Sequence, residues 1–414
     1  MYPFIVVVMF SKKQLTIFLI IFILIIILFA PLKRRDRFQS LVQHHPLLEG
    51  YQDIPQVNSS RHILVLLIGG NMAMKLDKEG THVTDPGYLE SRINHIRGIH
   101  SDQVAKFTFK VRNPVMDSAN MKPNDWIDIA NIIEKNYNNY DAFILIHGTD
   151  TMAYTATALS FMLENLNKTV ILTGSMLPLP HARSDGPNNL IQSLFLASHY
   201  NIPEVVVSFG GYIMRGNRVE KISAEGFRAF KSTNYPILGL TSNVKLRIYK
   251  KNIIPSPAAD KRFFVRRFDP NIKIIVIQIT PALDSERIMQ LAKSQNVHAI
   301  ILNSYGMGDA PVKDEIFLNA ITYAVNRGII VTNCTQTIHG RIDMKDFETG
   351  YKLMKAGVIS SYDMTLEAAV GKLYFLMGQG LRTEQVKQYY VIDLRGELTP
   401  EQVYEETTYP SYED

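Results

Sequence analysis

The segment His147-Gly148-Thr149-Asp150-Thr151 sets two hydroxyls and one carboxylate together, after the apolar run Ala142–Ile146 and ahead of a helical pattern that opens at Met152. At a strand-to-helix turn the first helical N–H groups converge, so polar side chains there are placed to hold a ligand or polarise a bond. The same residues could instead cap the helix, with Thr149 or Asp150 closing its first turn. His147 reads as structural. Two other loops share this setting: Gly69-Gly70-Asn71-Met72-Ala73-Met74 after His62–Leu67, and Thr173-Gly174-Ser175-Met176 after Thr169–Leu172. The glycine pair fits neither the GxGxxG dinucleotide spacing nor the GxxxxGK[ST] phosphate loop, and alone it is a tight turn.

The elements that must position these loops alternate short apolar runs with helical stretches, the pattern of a mostly parallel sheet covered on both faces. Strands are expected at His62–Leu67, Ala142–Ile146, Thr169–Leu172 and Glu204–Ser208, and helices at Pro123–Asn136 and Met152–Asn165. A polar, proline-containing stretch from Lys250 to Pro270 interrupts the alternation. Strands then recur at Ile272–Ile279, Ala299–Leu302 and Gly328–Thr332, with helices at Ser285–Ser294, Lys313–Asn326, Phe347–Ala356 and Leu366–Met377. In open parallel sheets ligands bind beyond the carboxyl ends of the strands, where these three loops lie.

A chain of 414 residues with 46% hydrophobic and 20% charged residues is enough for two globular domains. The net charge of +5 is partly local, since residues 1–60 hold six cations against three anions. The remainder is too nearly neutral for a nucleic-acid surface. The single cysteine, Cys334, excludes an internal disulfide and any cysteine-based zinc site, and no other metal site is expected. Gln14–Leu32 is apolar and free of charge, long enough to cross a membrane, with Lys12–Lys13 before it and Lys33, Arg34, Arg35 and Arg37 after it. No small-residue cleavage site follows, so the segment reads as an uncleaved single-pass anchor. The heavier basic cluster on its C-terminal flank places the main domain on the cytoplasmic side.

HGTDTMAYTATALSFMLENL, beginning at His147, closely resembles the second signature of the bacterial-type L-asparaginase family, in particular its cytoplasmic type I branch. VMDSANM (115–121), RSDGPNNL (183–190), RGNRVEK (215–221), NSYGMGDAP (303–311), YDMTLEA (362–368) and LRGELTPE (394–401) resemble the same branch in order, over about residues 61–402. The resemblance implies a two-domain α/β fold, with a larger N-terminal, mostly parallel sheet flanked by helices and a smaller C-terminal α/β domain. It also implies homodimers or homotetramers and cofactor-free hydrolysis of L-asparagine to L-aspartate and ammonia. On this frame residues 1–37 are anchor and flanks, 38–60 a tether, 61–250 and 271–402 the two domains, 251–270 their linker and 403–414 a tail.

Carried over by position, the resemblance makes Thr149, Asp150 and Lys221 one half of the catalytic site. Lys221 would ease removal of a hydroxyl proton, Asp150 would grip the substrate ammonium and Ser118 the substrate carboxylate, with Gly70 and Asp117 beside them. The other half departs from the family. The first signature reads IGGNMAM, so Asn71 stands where the nucleophilic Thr is expected, and Thr81 stands where the loop Tyr is expected. Asp309 replaces an Asn that reaches across the subunit interface in relatives. Loss of a covalent nucleophile costs on the order of 10⁴–10⁶ in turnover. The expectation is an asparaginase-like amidohydrolase with reduced turnover. The alternatives are a membrane-tethered binder of asparagine or aspartate, acting as sensor or scaffold, and an amidohydrolase of shifted substrate.

Overall fold

The computed structural model describes residues 60–241 and 246–400. The anchor expected at 14–32, the tether up to residue 59 and the tail 403–414 lie outside the described residues. Among the described residues no helix is long and apolar enough to cross a membrane.

Strands β1 (His62–Gly69), β2 (Lys106–Met116), β3 (Ala142–Ile146), β4 (Thr169–Thr173), β5 (Val205–Phe209), β6 (Tyr212–Arg215), β7 (Gly239–Thr241) and β8 (Leu246–Ile248) form one sheet in the order β8-β7-β6-β5-β4-β3-β1-β2. From β2 to β5 all neighbours are parallel, and β6, β7 and β8 add on antiparallel. Successive side chains on a strand face opposite sides. Accordingly Leu64, Leu66, Phe143, Leu145, Val170 and Leu172 pack with helices α2 (Pro123–Asn136) and α3 (Met152–Met162). Ile63, Val65, Leu67, Ile144, Ile146 and Ile171 pack on the other face with α1 (Pro86–Ile93) and α4 (Gly186–His199). Both faces of the parallel core are therefore dry, which is why its strands read as unbroken apolar runs.

The second sheet is parallel throughout, β9 (Ile274–Gln278), β10 (Ala299–Ser304), β11 (Ile330–Thr335) and β12 (Ile359–Ser360) in sequence order. Helices α5 (Ser285–Lys293) and α6 (Glu315–Asn326) cover one face, and α8 (Leu366–Met377) and α9 (Thr383–Tyr390) the other, while α7 (Glu348–Lys355) leads into β12. The arrangement is the two-sheet α/β fold that the sequence implies. One helix is shorter than its periodicity predicts. Beyond Met162 the chain leaves α3, because Leu163–Glu164 pair antiparallel with Phe264–Val265 and Asn165 turns into a left-handed conformation, φ 54°.

A buried ion pair fastens the last described segment, residues 391–400, to this body. Lys372 on α8 meets Glu397 at 2.5 Å, both without solvent exposure, and Lys372 also donates to Ile392 O. Burial opposes ionisation of Glu397, but the adjacent ammonium outweighs it and holds the carboxyl below its usual range. A depressed carboxyl contributes stability above its unfolded-state pKa and loses it as pH falls through the folded one. Lys372→Met should therefore lower the unfolding free energy by about 3–5 kcal/mol at neutral pH, by stranding a buried carboxylate. The deficit should shrink as acid protonates Glu397. Urea titrations at several pH values read this directly, and an unchanged midpoint at pH 7 would refute it.

Candidate active site

Three loops meet beyond the carboxyl ends of β1, β3 and β4, and their meeting depends on missing side chains. Gly70 has φ 91°, and a Cβ there would lie 2.4 Å from Gly148 Cα. A Cβ on Gly148 would in turn lie 2.4 Å from Ser118 Oγ. Backbone thus packs directly on backbone, and the turn Ser118–Asn120 after β2 closes over both loops. Thr151 Oγ1 fastens this contact by donating to Ser118 O at 2.8 Å.

The ribbon Val219–Lys221, paired with Phe230–Ser232, delivers an amine to the same place. Lys221 Nζ donates to Thr149 Oγ1 at 2.9 Å and to Asp150 Oδ1 at 2.6 Å. Thr149 is buried, while the side chains of Lys221 and Asp150 are 21% and 61% exposed, so the pair forms the mouth of the site. Neither Thr149 nor Asp150 caps α3: the N-cap position is Thr151, whose side chain makes no cap bond. Thr149 accepts from an ammonium, so its own proton stays free to donate, and the neighbouring cation stabilises charge that develops on its oxygen.

His147 is structural, as its sequence setting implies. Trp126 Nε1 donates to Thr155 Oγ1 at 3.1 Å, which leaves the Thr155 proton for His147 Nε2 at 2.9 Å. His147 Nδ1 then carries the ring hydrogen and donates to Gly148 O at 2.7 Å. Burial pushes this imidazole down to about 4, so it is neutral at physiological pH. The ring sets the carbonyl of Gly148 and with it the start of the loop.

Asn71 belongs to the cluster but not to the Lys221 network. Its Nδ2 donates to Met176 O at 2.8 Å, tying the first loop to the third, and the next residues, Met72 and Ala73, are fully buried. Thr81 lies at the turn of the hairpin Met74–Leu76/His82–Thr84, exposed, with its backbone bonded to Asp77. Its hydrogen bonds stay within the hairpin. Asp117 is exposed and accepts from Ala119 N, so it shapes the turn that presents Ser118. Asp309 stays in the C-terminal half, where its carboxylate accepts from the Thr349 hydroxyl. Sequence reasoning missed Asp185. That carboxylate accepts from Met176 N, Leu177 N and Asn189 Nδ2, and it fixes the third loop. An Asp directly before Gly186-Pro187 at a helix start is the signal that could have found it.

Residues 62–254 match the family model described as Asparaginase, N-terminal, and residues 273–390 that described as Glutaminase/Asparaginase C-terminal domain. L-asparaginase 1 of Escherichia coli (strain K12) is 41% identical over 341 residues, 82% of this chain and 99% of that protein. Among solved structures, L-asparaginase I from Vibrio cholerae superposes with a TM-score of 0.75 at 41% identity, covering 82% of this chain and 99% of that one. The thermostable L-asparaginase from Thermococcus kodakarensis gives 0.73 at 31% identity with the same coverage.

The glycine contacts make a direct prediction. Gly70→Ala must force a left-handed alanine against the Gly148 backbone and should cost at least about 2 kcal/mol of stability. Thermal unfolding of parent and variant measures it, and an unshifted midpoint would show that the loops do not pack as described.

Proposed function

The chain belongs to the asparaginase family, and on that premise we propose that it binds L-asparagine and L-aspartate at the Thr149–Asp150–Lys221 cluster and hydrolyses asparagine slowly. The observation that carries this reading is the single amine that bonds both Thr149 Oγ1 and Asp150 Oδ1. Asp150 receives the ligand ammonium, Ser118 and its turn receive the carboxylate, and Thr149 faces the side-chain amide.

The ordinary route, attack by a hydroxyl to give an acyl-enzyme, has no nucleophile at Asn71. What remains is attack by water on the amide carbon. The water oxygen bonds to that carbon, the C–N bond breaks, and the nitrogen leaves as ammonia with one added proton. Thr149 supplies that proton and recovers one from the attacking water, and Lys221 steadies the oxygen meanwhile. No cofactor or metal enters this route. A second reading, a binder of the same amino acids acting as sensor or scaffold, is favoured by the Asn71 bond to Met176 O, which commits the first loop to structure. The two readings share a ligand and part at ammonia release.

Restoring the missing half should therefore restore rate. Asn71→Thr with Thr81→Tyr should raise ammonia release from saturating asparagine by at least about two orders of magnitude, and Asn71→Thr alone by less. No gain in the double variant would mean that the retained half is not poised for this chemistry.

The proposal includes tethering by residues 14–32, with the folded unit cytoplasmic and assembled as a homodimer or homotetramer. The charge-free run with its basic flanks supports the tether. After carbonate extraction the full chain should pellet with membranes, and a chain starting at residue 38 should stay in the supernatant and scatter light as an oligomer. A soluble full chain or a monomeric truncation would contradict this.

A further inference from the structure

Lys221 sits at one end of a short ribbon, and the other end of both strands is held by one residue of the C-terminal half. We propose that the turn at Asp363 positions Lys221, clamping the ribbon Val219–Lys221/Phe230–Ser232 through Arg218 on the Asp363 carboxylate and Asn234 on its main-chain carbonyl. The proposal deepens the functional reading above and rests on it for the role of Lys221.

The bonds form a closed set. Arg218, directly before the first strand, donates from Nη1 to Asp363 Oδ2 at 2.9 Å. Asn234, two residues past the second strand, donates from Nδ2 to Asp363 O at 3.0 Å, and its Oδ1 accepts from Gly340 N at 3.1 Å. The other Asp363 oxygen, Oδ1, accepts from Thr399 N at 2.8 Å. Arg218 is completed by Gly396 O and Thr399 Oγ1, and both Arg218 and Asp363 are almost wholly buried. A ribbon of three residues is about 10 Å long and has little stability of its own. Fixing its open end therefore fixes where the Lys221 amine arrives, at Thr149 and Asp150.

A second observation supports the assignment. Tyr362, next to Asp363, has φ 53°, a left-handed conformation that a bulky side chain adopts only under constraint. The turn is held by Tyr362 N on Ser360 Oγ, by Ile342 N on Tyr362 O and by Met364 N on Ser361 O. It aims Asp363 back at the N-terminal half, just before Thr365 caps α8. Strain of this kind persists where the surroundings over-determine it, and here it serves the clamp.

Asp363→Asn is the obvious variant, but it strands the buried Arg218 guanidinium and endangers the fold. Asn234→Ala is the working variant, because Asn234 is only half-buried and carries no charge. The readout is acetylation of Lys221 by acetic anhydride, followed by mass spectrometry in the full-length chain, with exposed Lys293 as internal reference. A looser ribbon frees the amine from Thr149 and Asp150. The Lys221 to Lys293 rate ratio should rise by about fivefold, the net worth of roughly one hydrogen bond, with near-ultraviolet circular dichroism unchanged. A merely structural Asn234 would leave that ratio where it is in the parent, and that result overturns the clamp. L-Aspartate titration of the same two proteins separates the two claims. If the parent binds and the variant binds equally well, the clamp fails; if the parent does not bind, the functional reading fails and the acetylation ratio alone judges the clamp.

Discussion

Everything at this site depends on backbone meeting backbone at the carboxyl edge of the parallel sheet. Gly70 and Gly148 bring two loops into contact that any side chain would prise apart, and Ser118 closes over them. Because the strands below are buried on both faces, the loops have a rigid floor and only one direction in which to present polar groups. Polar side chains on that floor then acquire partners from far away in sequence. Lys221 reaches Thr149 across 72 residues and Trp126 reaches Thr155 across 29, the latter fixing the His147 tautomer.

The site that results has two halves of different character. The half made by Thr149, Asp150 and Lys221 is wired as charge-assisted hydrogen bonds open to solvent on one side. The half made by the first loop is wired as structure, with Asn71 cross-linked to Met176 O and Asp185 holding the backbone of the loop that carries Met176. Arg215 with Glu204, Arg218 with Asp363 and Lys372 with Glu397 are buried pairs, and the last two tie C-terminal segments to the ribbon and to α8. Such pairs add little net stability but fix one arrangement, since breaking any of them strands a charge.

The parallel core was legible because burial on both faces writes itself as uninterrupted apolar runs; Ala142–Ile146 and Pro123–Asn136 were read to the residue. The strand Lys106–Met116 was not read, although Phe107, Phe109 and Val111 alternate with charged and polar residues, the pattern of a half-buried edge strand. The ordered motifs led to the family, which the comparisons bear out. The loop of Thr149 and Asp150 stood out from its own residues, and only the resemblance joined it to Lys221, which no spacing rule reaches. Asp363 stayed invisible because its partners are backbone groups or a side chain remote in sequence, whereas Thr155 lies only eight residues from His147 and Asp185 stands directly before Gly186-Pro187.

The central claim is that the ligand-binding half of an asparaginase site persists beside a first loop that has no nucleophile. It is tested most directly by following L-aspartate binding by calorimetry and ammonia release from saturating L-asparagine on one preparation of the full-length chain. The account predicts binding that Asp150→Ala weakens at least about tenfold, with turnover at least about 10⁴-fold below an ordinary enzymatic rate. Ordinary turnover by the parent chain, or binding indifferent to Asp150→Ala, would contradict it.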